Sequence, residues 1–139
     1  MSGYLLGTNV VSELRKGRRT NSGVRAWFEV VEDQELFLSV LVVGEIRAGI
    51  ERARRRDPVK ARALGNWLAR LERSYGDRIL PVTVPIADQW GHLAAVRPIP
   101  TVDGLLAATA LTHDLVLVTR NVGDVADTGA GVLNPFSAP

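Results

Sequence analysis

Apolar and polar positions divide the chain into short, wholly apolar runs and longer stretches in which apolar residues recur every three or four positions. "GYLL" at residues 3 to 6 reads as a buried strand, and "NVVSELRK" after it as a short helix opened by Thr8 or Asn9, both good N-cap types. "SGVRAWFEVV" predicts a second helix and "ELFLSV" a second strand. Val42, Ile46, Gly49 and Ile50 then fall at helical spacing, and that helix runs into an arginine cluster before Asp57-Pro58 breaks it. Leu64, Trp67, Leu68 and Leu71 form the inward stripe of the next helix. "RILPV" is a third strand, and Pro85 suits the first position of a helix turning Ile86, Trp90 and Leu93 inward. "RPIP" at 97 to 100 is a loop, after which Thr101 can cap "VDGLLAATALTHD", whose alanines permit close packing on a sheet. "LVLVT" is the clearest strand of all, followed by the polar loop "RNVGDVADTGAG" and a last short strand, "VLN".

Strands separated by helices predict an α/β fold: a central, mostly parallel sheet of about five strands with helices on both faces. No repeat, linker or low-complexity tract interrupts the chain, so residues 1–139 are expected to form one domain. With 139 residues, 46% of them hydrophobic, there is material for one sizeable core, which argues against disorder.

The absence of cysteine excludes disulfides and thiolate metal sites, leaving oxygen or imidazole ligands for any metal. No basic leader or cleavage site opens the chain, and the longest apolar stretch, "LFLSVLVVGEI", is too short for a bilayer and carries Glu45. A cytoplasmic protein without a membrane partner is expected. The net charge is only +2, yet basic residues crowd into "RKGRR" (15–19) and "ERARRRDPVKAR" (51–62), with Arg54, Arg55 and Arg56 at the centre of the second cluster. A polyanion is one reading of that run and a solvated helix face is the other.

Acidic residues stand in unusual places. Glu45 follows Val42 by three and precedes Gly49 by four, on the inward face of an apolar helix stretch, where a carboxylate needs a cation, a proton or hydrogen bonds. Asp103 shares the inward face with Leu106 and Ala107 and lies in a first helical turn, where the macrodipole favours negative charge. Plain structural readings remain open: a salt bridge from Glu45 to Arg47 or Arg97, and a capping role for Asp103. After the strongest strand come Thr119, Arg120, Asn121 and Asp124, an oxygen-rich loop that also suits a simple turn.

Four stretches, "YLLGTNVVSEL", "SVLVVGEIRAGI", "PTVDGLLAATALTHDLVLVTRNVGD" and "VLNPF", resemble in order and spacing a PIN-domain ribonuclease of the VapC type. This family supplies the toxin half of type II toxin–antitoxin pairs, and the likeness is to its FitB-like branch. The resemblance implies a three-layer PIN-like sandwich and hydrolysis of RNA phosphodiester bonds with Mg²⁺ or Mn²⁺. It carries the metal and catalytic positions onto Gly7, Glu45, Asp103 and Asn121, with Asp124 and Thr119 contributing at the same mouth. It further implies a homodimer, higher toxin–antitoxin assemblies, and a VapB-like antitoxin whose tail enters the groove over the site, an Arg or Lys pairing with the acids. The hairpin containing Trp67 and the apolar face of residues 42 to 50 are its expected contacts, with core packing the alternative. Hard divalent ions suit such oxygen donors, so no histidine base is needed and His92 and His113 read as ordinary helix residues. The arginine run near residues 52 to 56, with Arg54, Arg55 and Arg56 at its centre, would steer RNA towards the acidic mouth.

One position departs from the pattern. Where members resembling this chain have aspartate in a "D-T-N" strand end, it has "GTN". A unit charge about 4 Å from another is worth about 4 kcal/mol at an effective dielectric near 20. A net loss of about 3 kcal/mol at Gly7 weakens metal binding roughly a hundredfold. Losing this acid also relieves repulsion among Glu45, Asp103 and Asp124. The expectation is a weakened or inactive metal-dependent ribonuclease, with a non-catalytic module that sequesters antitoxin or RNA as the alternative. A haloacid-dehalogenase-like phosphatase is a third reading, but its aspartate nucleophile is absent from the first strand.

Overall fold

A computed structural model describes residues 3–137. Five strands, β1 (Tyr4–Leu6), β2 (Leu36–Ser39), β3 (Ile79–Leu80), β4 (Val116–Val118) and β5 (Val132–Leu133), form one sheet in the order β3-β2-β1-β4-β5. Every pairing is parallel, with Leu5 opposite both Phe37 and Leu117. Consecutive strand residues such as Leu5 and Leu6, or Leu117 and Val118, are both buried, because helices cover both faces.

The helices are α1 (Thr8–Leu14), α2 (Ser22–Val30), α3 (Val40–Arg54), α4 (Pro58–Tyr75), α5 (Val84–Val96), α6 (Thr101–His113) and the one-turn α7 (Val122–Val125). The chain leaves β1 towards β2 and β3, then returns across β1 to β4 and β5. With right-handed crossovers, that reversal sends α1 to α4 to one face and α5 to α7 to the other. Packing follows suit, α3 on α4 and α5 on α6. The core collects Leu5, Leu6 and Leu38 from the strands with Val10, Val42, Leu68 and Ala107 from the helices.

Several helix starts differ from the sequence reading. Gly7, not Thr8 or Asn9, is the N-cap of α1, and Pro100, not Thr101, caps α6; neither offers a side-chain hydrogen bond. Thr8 is the first residue of its helix because its hydroxyl is engaged by Glu45 instead. Val84 opens α5 and Pro85 follows it, since the Thr83 hydroxyl accepts the N–H of Ile86 and so fixes the cap one residue earlier. Within the polar loop after β4, residues 122–125 close a helical turn, α7.

Candidate active site

Reversal of the chain at β1 and β4 makes the gap between their carboxyl ends a topological switch point, where α/β folds bind ligands. A cavity of about 540 Å³ lies there. Gly7 directly follows β1, Thr119 directly follows β4, and both reach its wall beside Thr8, Glu45, Asp103 and Asn121.

Each wall residue is held by a different element. Thr8, in the first turn of α1, donates its hydroxyl proton to Glu45 Oε1 on α3 over 2.5 Å. Asn9 spans the switch point: its amide donates to Thr119 Oγ1 at 3.4 Å, and its Oδ1 accepts the N–H of Arg120 at 3.3 Å. Thr119, buried, accepts the N–H of Asn121 at 3.0 Å and so sets the loop's turn. The Arg97 guanidinium donates to the Asp124 carbonyl at 3.0 Å, which ties α7 to the segment before α6.

Asp103 stands half-buried in the first turn of α6. Its carboxyl is raised above the ordinary aspartate value, first by burial, then by the negative charges of Asp124 and Glu45. A side-chain hydrogen bond with Asp124 raises it too, while one from Asn121 lowers it. Asp124 on α7 therefore lies beside Asp103 on α6. Gly104 next to it leaves room for Trp90: a Cβ there would lie 3.0 Å from the indole Cδ1. The indole N–H is buried and, among the described residues, without a partner.

The structure thus brings Gly7, Glu45, Asp103, Thr119 and Asn121 to one wall, with Asp124 against Asp103. Glu45 does not face the core as the spacing suggested. It is exposed at the edge of the α3 stripe, because Val42, Ile46 and Ile50 take the buried side and leave position 45 pointing to the mouth. Neither Arg47 nor Arg97 pairs with it; Arg47 bonds Glu51 and Arg97 pairs with Asp127. Arg54, Arg55 and Arg56 do not line the cavity, whereas Arg52 does. Of the arginine run at 52 to 56, only Arg52 reaches the cavity wall, and Thr8 and Asn9 escaped the sequence reading as wall residues, although "TN" directly after the β1 strand end was the available signal for them.

Gly7 is not required by backbone conformation, since its φ of −74° and ψ of 162° suit any residue. Its N–H donates to the Val118 carbonyl at 2.8 Å, and a Cβ would stand 3.1 Å from that same oxygen. A side chain at 7 needs a shift of a few tenths of an ångström and would then enter the cavity beside Thr119.

The donors are all oxygens, the chemistry of a hard divalent ion, and the negative charges of Asp124 and Glu45 are near enough to be felt by Asp103. Among the described residues no three of His, Cys, Asp and Glu come together as a metal-holding group. Such a set fits Mg²⁺ or Mn²⁺ held by one or two carboxylates and keeping much of its water, not a protein cage.

The PIN domain family model matches residues 4–126. The chain is 32% identical to Toxin FitB of Neisseria gonorrhoeae over 141 residues, covering 95% of this chain and 97% of that protein. It is 30% identical to VapC ribonuclease Y4jK of Sinorhizobium fredii over 140 residues, covering 95% and 96%. The crystal structure of FitAcB from N. gonorrhoeae superposes with a TM-score of 0.87 at 30% identity, over 97% of this chain and 99% of that one. A five-stranded parallel sheet with an acid-lined switch point, matched along almost its whole length, makes this chain a member of the PIN-domain family.

Proposed function

We propose that the chain is a VapC- and FitB-like endoribonuclease toxin, dependent on Mg²⁺ or Mn²⁺, and that Gly7 holds its activity far below that of a relative with aspartate there. The observation that carries this reading is the meeting of Asp103, Glu45 and Asn121 on the wall of one cavity, with Asp124 beside Asp103. Similarity to a protein named a VapC ribonuclease supports the choice of substrate.

Asp103 and Glu45 are the carboxylate ligands in this proposal, with Asp124 and Asn121 as further oxygen donors. The ion, when bound, supplies a water of lowered pKa and offsets charge on the attacked phosphodiester. The chain's own residues fix the frame. Thr8 holds the Glu45 carboxylate by its hydroxyl, Thr119 orients Asn121 through the backbone, and Asn9 locks both strand ends together. Asp103, crowded by like charges, gains most from an added cation. RNA as substrate, the cytoplasm as location, a homodimer and a VapB-like antitoxin belong to the same reading.

Gly7→Asp tests it. The variant is expected to bind Mn²⁺ about a hundredfold more tightly and to gain Mg²⁺-dependent RNA cleavage. No gain in either overturns the reading. Glycine at position 7, which brings no side-chain oxygen to the cavity wall, favours a second one, a PIN-fold module that binds without cutting. Calorimetric titration with Mn²⁺ separates the two: a pure binder gives no heat that disappears in Asp103→Asn.

A further inference from the structure

Beside the acid cavity lies a depression of about 310 Å³ that shares Thr8, Glu45 and Arg52 with it. Arg15, just after α1, and Trp67, on α4, line its other walls. The two spaces therefore form one path from the acids to a basic and aromatic groove.

Arg52 lies on α3 seven residues after Glu45 and three after Gly49, so all three share a helix face. Its guanidinium folds back towards the cavity, with Nη2 4.0 Å from where a Cβ on Gly49 would stand. Glycine at 49 leaves that path open. Among the described residues Arg52 has no ion pair and no hydrogen bond from its side chain, whereas Arg47 and Arg54 both bond Glu51. Of the arginines on α3, Arg52 is the one left to meet an anion.

We propose that Arg52 and Arg15 form a phosphate subsite for single-stranded RNA next to the acid cavity, with Trp67 as the wall against which a base lies. It rests on the reading of RNA as substrate and adds which residues hold the strand. A guanidinium fork matches a phosphate bidentately, and unstacked bases lie on aromatic side chains. A chain carrying a phosphate on every residue complements two arginines and an indole.

Binding is measured by anisotropy of a fluorescein-labelled single-stranded RNA of about ten nucleotides, in EDTA, across a salt series. Arg52→Ala is expected to weaken binding about tenfold and to reduce the slope of log K against log salt by about 0.7. Arg52→Lys keeps the slope while losing part of the affinity. Gly49→Leu retains every charge but fills the path of the Arg52 side chain, and is expected to match Arg52→Ala. Arg56→Ala, outside the groove, loses less than about twofold.

Unchanged affinity and slope in Arg52→Ala overturn the proposal and leave the groove to a protein partner; an equal loss in Arg56→Ala overturns it in favour of general charge. Failures of the two proposals separate cleanly. If Gly7→Asp cleaves RNA with a KM indifferent to Arg52→Ala, the subsite falls and the nuclease stands. If Gly7→Asp never cleaves but Arg52→Ala still loses RNA, the reverse holds.

Discussion

Two sheltered carboxylates in this molecule are treated in opposite ways. Glu13, on α1, is only 8% exposed and is surrounded by donors. It accepts the N–H of Asn21 at 2.8 Å and the Lys16 ammonium at 3.0 Å, while the Thr20 hydroxyl donates to its backbone carbonyl. The Asn21 N–H first, and Lys16 second, hold its carboxyl below the ordinary value. Asp103 is half-buried among acids, and its carboxyl is raised. Glu13 fastens the turn between α1 and α2; Asp103 is left among like charges, the environment that raises a carboxyl.

Removing each acid should therefore have opposite signs. The largest effect is expected from Glu13→Ala, which leaves the Asn21 N–H without its acceptor and loses about 1–3 kcal/mol, read from urea unfolding. Asp103→Asn should instead raise the melting temperature of the metal-free protein at pH 7, by about 2–4 °C, the shift of ~1 kcal/mol in a chain of this size. A fall would mean that Asp103 is tied by donors after all.

The pH profiles sharpen the contrast. The folded value of Glu13 is lowered, so its contribution is complete above the ordinary glutamate range, about 4.3, and is lost as pH falls through the folded value. The folded value of Asp103 is raised, so its penalty is absent below the ordinary aspartate value, about 3.9, grows as pH climbs to the raised value and is constant beyond it. The gain in Asp103→Asn should then be full at pH 7 and gone near about pH 3. The smallest change is expected from Lys16→Met, under about 1 kcal/mol by thermal unfolding, because the lysine is 44% exposed.

The strands and long helices were legible because wholly apolar runs and three-to-four spacing record burial directly, as in "LVLV" and the Val42, Ile46, Ile50 stripe. Helix starts were not. Thr8 looks like a cap locally, but its hydroxyl answers to Glu45, 37 residues away. Spacing also misplaced Glu45, since position 45 borders the apolar stripe and only the packed neighbours decide which side of that border faces water. The choice among arginines was hidden for a related reason. Glu51 takes Arg47 one turn before it and Arg54 one turn after it, and that internal pairing leaves Arg52 without an acid partner among the described residues. Asp103 and Asp124 stood out because each lies in the first turn of a helix, and Glu45 because it interrupts an apolar stretch.

The indole seated on Gly104 turns the fold into its own optical gauge. Trp90 touches the residue after Asp103 and its N–H is sealed away from water, so a displacement of that first helical turn changes the dielectric surroundings of the fluorophore. Emission from Trp90, isolated by replacing Trp27 and Trp67 with phenylalanine, would report occupancy of the neighbouring acids in unlabelled protein.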